Sequence, residues 1–149
     1  MKPNPRRFDI DVYPNRFDIA TRFSDVDSQS HLNNVRLMEY YQEGRVHFHH
    51  ALPEEFNFEQ EAGSRILVAH QSVDYLQEVR YPGVITLGVG LLRIGNSSYT
   101  MGAGLFQDGR CAGLAMTVIV YGSKAATPAA LPAAVVAVLR KKLLPDDAL

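Results

Sequence analysis

"SDVDSQSHLNNVRLMEYYQEGRVHFHH", Ser24 to His50, decides how this chain is read. Its opening sets Asp25, Asp27, His31, Asn33 and Asn34 in a single run. That run is too polar for a core strand and too dense in chemistry for an ordinary linker. Then the pattern changes. From Val35 to about His50, Leu37, Tyr41, Gly44 and Phe48 recur at helical spacing and predict a helix with one apolar face. Gly44 costs about 1 kcal/mol against alanine in a helix interior, which fits a place where another backbone comes close. "ALP", ending at Pro53, stops the helix.

Outward from this stretch the chain turns to strands. Arg16 to Phe23 alternates apolar and polar residues, as a half-buried strand does. After the helix come Arg65 to Val79, a turn at "YPG", Val84 to Ile94, and a turn at Gly95 and Asn96. Ser97 to Gln107 follows, then the hairpin signal Asp108-Gly109 and the apolar run Arg110 to Tyr121. The order is strand, loop, long helix, four strands in a meander, and a C-terminal helix, which is α+β. Gly88 and Gly90 share one strand face, as do Gly102 and Gly104. Strand glycines permit strong bends or close backbone approach, which suits a sheet curled around one helix.

At 149 residues the chain is expected to be one domain, 1–149, with an N-terminal extension over 1–15 and a C-terminal linker and helix over 124–149. A net charge of −1 gives no global pull toward nucleic acid or anionic membrane. Cys111 is the only cysteine, so no intramolecular disulfide and no thiolate zinc cluster is expected, in keeping with a cytoplasmic location. The basic start "MKPNPRRF" lacks the apolar stretch of a signal peptide. The run Pro132 to Leu144, broken by Arg140, Lys141 and Lys142, is too short to span a bilayer.

Three stretches together resemble hotdog-fold acyl-CoA thioesterases of the 4-hydroxybenzoyl-CoA thioesterase family. They are "RFSDVDSQSHLNNVRLMEYYQEGR", "VDYLQEVRYPG" and "RIGNSSY", and the likeness runs from Arg16 to about Tyr121. The first is similar to a family pattern of Asp-x-Asp, a short gap, Gly-His-x-Asn-Asn and the central helix. Ser30 departs from it, standing where the family usually has glycine. If that position needs a positive φ, serine carries a conformational cost there.

The resemblance implies an antiparallel sheet curled around one long helix, and hydrolysis of an acyl-CoA thioester to free acid and CoA. Asp27 is then the catalytic carboxylate, as nucleophile or as general base to a water. From spacing alone it reads first as an Asx-turn or helix-entry residue. The backbone N–H of Asn34, at the start of the helix, is the oxyanion donor. His31, Asn33 and Asp25 are supporting residues. Asp25 is expected on the side opposite to Asp27, in a structural hydrogen-bonding role. Gly95, Asn96, Ser97, Ser98 and Arg80 are the substrate-binding candidates. A plain β-turn at "GNSS" and a solvated Arg80 are the other readings, as solvated charge is for Arg93 and Arg110. Asp74 and Tyr75 match the family pattern with no role assigned. No cofactor is expected, since CoA is part of the substrate.

His47 and His50 stand three apart near the helix end, but no cysteine and no HExxH pattern supports a metal site there. There is no Gly-x-Ser-x-Gly for an α/β-hydrolase nucleophile. The alternatives are a hotdog hydratase or dehydratase and a non-catalytic acyl-CoA-binding protein. Hydratases and dehydratases resemble an Asp and His pair with four residues between, Asn-Pro among them. Here Asp27 and His31 have three between, and no Asn-Pro stands among them. The exposed edges of a single curled sheet imply a homodimer or homotetramer.

Overall fold

The computed structural model describes residues 3–53, 64–122, 125 and 127–149. In chain order it has β1 (Asn15–Ala20), α1 (Asn34–His50), β2 (Arg65–Tyr75), β3 (Val84–Ile94), β4 (Ser98–Gln107), β5 (Arg110–Gly122) and α2 (Ala133–Arg140). Residues 124 and 126 of the expected C-terminal linker lie outside the described residues. The strands form one five-stranded sheet in the order β1-β3-β4-β5-β2, every neighbouring pair antiparallel. The class is α+β, with the long helix held on one face of the sheet in the hotdog arrangement.

The helical spacing read from the sequence is the spacing that is buried. Leu37, Tyr40, Tyr41, Gly44 and Phe48 face the sheet, and they share one core with Leu87, Val89 and Leu91 of β3 and Met101 and Leu105 of β4. Phe48 is wholly enclosed, and truncating it to alanine is expected to cost about 3–5 kcal/mol. Gly44 is not met by another backbone as expected. A Cβ there would lie 3.3 Å from Phe17 Cζ and 3.4 Å from Val89 Cγ2, so the glycine seats the helix on side chains of β1 and β3.

The glycines of the sheet serve its other face. Leu87 and Val89 belong to the helix-side core, so Gly88 between them opens the opposite way. A Cβ on Gly88 would stand 2.6 Å from Tyr13 Cγ, and one on Gly90 would stand 2.6 Å from Leu144 Cδ2. These positions let both chain ends lie close on the back of the sheet, where Val12, Tyr13, Phe106, Leu114, Leu144 and Ala148 make a second apolar cluster. The C-terminal segment also bonds β3 beyond the end of β1: Leu91 N–H donates to Lys142 O, and Leu144 N–H to Leu91 O, both at 2.8 Å.

Three expectations need correction. The four later strands are not one meander: β3, β4 and β5 run consecutively, but β2 pairs with β5 and β1 takes the free side of β3. The link from β2 to β3 therefore crosses one end of the sheet. Its course is set by tertiary bonds, with Leu76 and Gln77 N–H on Ala112 O (2.9 and 3.1 Å) and Arg80 N–H on the Gln107 side chain (2.8 Å). For the same reason β2 ends at Tyr75 rather than Val79. Finally, β1 stops at Ala20 rather than Phe23. Thr21 turns both its N–H and its hydroxyl to Gly83 O, each at 2.9 Å, and Phe23–Asp25 winds into a 3₁₀ turn.

Strand β2 is an edge of the sheet, with Leu67 and Val68 close to half exposed. Among the described residues no helix is long and apolar enough to cross a membrane.

Candidate active site

The run from Arg22 to Asn34 folds as two nested turns, and each aspartate belongs to a different one. The 3₁₀ turn carries Asp25 inward to 4% exposure. There its Oδ2 accepts from Tyr40 Oη at 2.7 Å and from Arg22 Nε at 2.9 Å. The Arg22 guanidinium also lies over the Tyr40 ring, 5.6 Å from its centroid, within cation–π range. Burial pushes the Asp25 carboxyl up, but the Tyr40 and Arg22 hydrogen bonds and charge outweigh it and hold the pKa below the ordinary carboxylate value. Tyr40 is raised, chiefly by its burial and then by its bond to Asp25. Asp25 also works through its backbone, accepting Asn33 N–H at 2.9 Å. It thus ties the residue that caps α1 to the residue that enters the turn.

The second turn is a small hairpin closed by a bridge between Val26 and Leu32. Asp27 N–H donates to His31 O at 2.9 Å and Ser30 N–H to Asp27 O at 3.1 Å. Ser30 takes a φ of +64°, the left-handed conformation usual at this place in a three-residue hairpin loop and one that glycine adopts more readily. The Asp27 side chain does make an Asx-turn, its Oδ1 accepting Gln29 N–H at 2.8 Å. Its Oδ2 has no partner among the described residues. Leu32 N–H on Val79 O (2.9 Å) ties the hairpin to the crossing segment, and His31 Nε2 meets Glu78 Oε2 at 2.9 Å.

Helix α1 starts directly after this hairpin. Asn33 is its N-cap, with Oδ1 accepting Val35 N–H at 2.8 Å, and Leu37 N–H closes the first helical bond to Asn33 O at 3.0 Å. Neither accounts for Asn34 N–H, one of the groups a helix start leaves over. No described residue accepts from it. Across from it Tyr75, the last residue of β2, donates its hydroxyl to Asn34 O at 3.1 Å.

These pieces line one groove of about 390 Å³. Its lining includes Asp27, His31 and Asn34, the buried apolar Leu32 and Leu37, and Tyr75 to Val79. Open to solvent and lined by both a carboxylate residue and the first residue of a helix, it can present a nucleophile or base and a hydrogen-bond donor to one carbonyl group.

Arg80 stands at the same end of the sheet. It lines a neighbouring recess of about 230 Å³ with Gln77, Glu78, Gln107, Asp108 and Arg110. The turn Gly95 to Ser98 does not join them. It closes β3 onto β4 at the opposite end of the sheet, with Gly95 N–H on Ser98 O at 2.7 Å. Asn96 O and Ser97 O accept Leu131 N–H and Tyr121 N–H, each at 2.8 Å. A single chain does not bring "GNSS" to Asp27. His47 is used elsewhere, stacked on Phe17 with ring centroids 4.5 Å apart. Among the described residues no group of three or more His, Cys, Asp or Glu is placed to hold a metal ion.

Arg22, Tyr40, Glu78 and Tyr75 were not assigned parts in this site from the sequence. Arg22 is three residues before Asp25, an ion-pair spacing that was open to notice. Tyr40, Glu78 and Tyr75 act across long sequence separations, and only the folded topology brings them in.

The family model of the thioesterase-like superfamily matches residues 21–139, from the entry to the 3₁₀ turn through most of α2. A thioesterase from Thermus thermophilus, solved with coenzyme A and zinc, superposes with a TM-score of 0.76 at 26% identity, over 87% of this chain and 93% of its own. A protein from Pseudomonas aeruginosa gives 0.74 at 25% identity, over 90% and 94%. A predicted thioesterase from Bacillus stearothermophilus gives 0.77 at 24% identity, over 87% and 97%, a likeness that bears on the fold alone. No curated protein matches the chain significantly.

Proposed function

Given that the chain belongs to the thioesterase-like superfamily, a membership that supports thioester hydrolysis, we propose that it hydrolyses acyl-CoA to a free carboxylic acid and CoA. The observation that carries this reading is the shared groove. Asp27, with its unpartnered Oδ2, and Asn34, with its leftover N–H at the start of α1, both line one open groove. The acyl carbonyl docks with its oxygen on Asn34 N–H, where the donor and the helix dipole stabilise the charge that develops on that oxygen. Asp27 attacks the carbonyl carbon to give a mixed anhydride that water then cleaves to the free acid, or it takes the proton of a water that attacks directly. The thiol, with an ordinary pKa of about 8.5, leaves as thiolate without a strong general acid. His31 steadies the hairpin through Glu78, and Asp25 with Asn33 fixes the helix start.

The bound coenzyme A of the Thermus thermophilus thioesterase favours CoA as the thiol carrier. The sequence resemblance favours the 4-hydroxybenzoyl-CoA thioesterase family within the superfamily. We also propose a homodimer or homotetramer, supported by the exposed edge of β2. Arg80 would then bind substrate from the same chain, and Gly95, Asn96, Ser97 and Ser98 only from a second copy. Release of free thiol from a panel of acyl-CoA substrates tests the reaction. No release above the uncatalysed rate across aromatic, short and long acyl groups would sink it, and turnover with an enoyl-CoA alone would favour a hydratase.

A further inference from the structure

We infer that Tyr75 is a positioning residue for this reaction: its hydroxyl, reaching from the end of β2, sets the direction of the Asn34 N–H that receives the oxyanion. The inference rests on the hydrolysis reading above. Its basis is the way the peptide units around Asn34 are held. The unit joining Asn34 to Val35 is fixed at both ends, its N–H by Asn33 Oδ1 at 2.8 Å and its carbonyl by Tyr75 Oη at 3.1 Å. The unit before it is held at its carbonyl, where Asn33 O accepts Leu37 N–H at 3.0 Å. Asn34 N–H is the free donor between two tethered groups.

A helix carbonyl has two acceptor sites and the helical ladder needs one. Tyr75 takes the second from outside the helix. The residue it reaches from is itself anchored. Tyr75 pairs with Gly113 of β5, and the two N–H groups that follow it, of Leu76 and Gln77, both bond Ala112 O. The hydroxyl therefore refers the helix start to the sheet across the groove, rather than to the hairpin that carries Asp27. A tyrosine close to half exposed could leave its hydroxyl in water at little cost. Here the hydroxyl points to the helix. Small misplacement of an oxyanion donor lowers the rate of the chemical step without preventing the substrate from docking.

The test is Tyr75→Phe, which keeps the ring and removes only the donor. kcat and KM are measured on the best acyl-CoA of the panel, with thermal melts and amide hydrogen exchange at Asn34. The expected result is kcat about tenfold lower, with KM within about twofold, a small change in Tm and faster exchange at Asn34. Unchanged kcat overturns the inference. So does a rise in KM alone, which makes Tyr75 a substrate contact, and so does a large fall in Tm, which makes the hydroxyl a structural tie. If the wild-type protein hydrolyses no acyl-CoA, or Asp27→Asn is fully active, the hydrolysis reading fails and this inference falls with it. If the wild type is active, depends on Asp27 and tolerates Tyr75→Phe, the inference alone fails.

Discussion

Asp25 and Asp27 stand two residues apart in one loop and live in opposite surroundings. Asp25 is buried and has an arginine and a tyrosine on a single oxygen, with its backbone bonded to the cap of α1. Asp27 is half-buried, lines the groove and uses one oxygen for its own turn, leaving the other without a partner among the described residues. The inner carboxylate is spent on structure, and the outer one is open to chemistry. A saturated buried carboxylate is a poor base, because every proton it takes breaks a bond that holds the loop. The loop therefore divides into an anchor, Arg22 to Val26, and a working turn, Asp27 to His31.

The sharpest way to break this division is to neutralise each aspartate in turn. Asp27→Asn keeps size and the Asx-turn acceptor but removes the base or nucleophile. It should lower kcat by at least about 100-fold while acyl-CoA still binds and Tm barely moves. A folded Asp27→Asn protein with near-normal kcat ends the catalytic assignment. Asp25→Asn should show the reverse, a stability loss of about 2 kcal/mol in denaturant melts with kcat within about threefold. If Asp25→Asn is the folded but inactive variant, anchor and working turn have been interchanged.

The division was only partly legible before the fold was known. Helix α1 and its buried face could be read because 3.6-residue periodicity marks Leu37, Tyr41, Gly44 and Phe48 regardless of what they pack on. Strands β3 to β5 could be read because their turns carry Gly-Asn and Asp-Gly. The sheet order could not, since the bonds that lead residues 76 to 83 across it come from Ala112 and Gln107. Nor could the phase of the two aspartates. Continuing β1 through Asp25 would set residues two apart on one face, and it is the 3₁₀ turn at Phe23–Asp25 that separates them. The partner that buries Asp25, Tyr40, is fifteen residues away along the chain. Sequence showed which residues carry chemistry, but not which carboxylate is already occupied.

Acid unfolding offers a finer test of the anchor. Asp25 has a folded pKa lowered below its unfolded value of about 3.9. Its contribution is complete above that unfolded value and is lost as pH falls through the folded one, because the unfolded chain binds the proton first. Wild type should thus lose more stability than Asp25→Asn below about pH 4. A second group acts in a separate window. Burial, with Arg45 and His50 nearby, lowers His49 to about 4. The unfolded chain binds that proton from about pH 6.5 downward, so stability is lost between about 6.5 and 4 in both proteins. Subtracting the two acid curves removes the His49 part. A difference that already shrinks at pH 5 to 6 would mean that Asp25 is not held as described.

The smallest expected effect belongs to the working turn and asks whether it can be relaxed without touching the anchor. Ser30 sits at φ +64°, where a side chain costs about 1–2 kcal/mol relative to its usual conformations. Glycine avoids that cost but gives back about 0.4–1 kcal/mol through the greater freedom of the unfolded chain. No described residue bonds the Ser30 hydroxyl, so its removal leaves nothing unsatisfied. Ser30→Gly should therefore gain about 0.5 kcal/mol, raising Tm by one or two degrees in a chain of this size. Its kcat should stay close to wild type, since Ser30 N–H still bonds Asp27 O. A clear loss of Tm would show that the serine hydroxyl holds the turn. An unchanged Tm with a fallen kcat would show that the left-handed serine stiffens the turn for the benefit of Asp27, and that the working turn is less independent of its backbone than the anchor is.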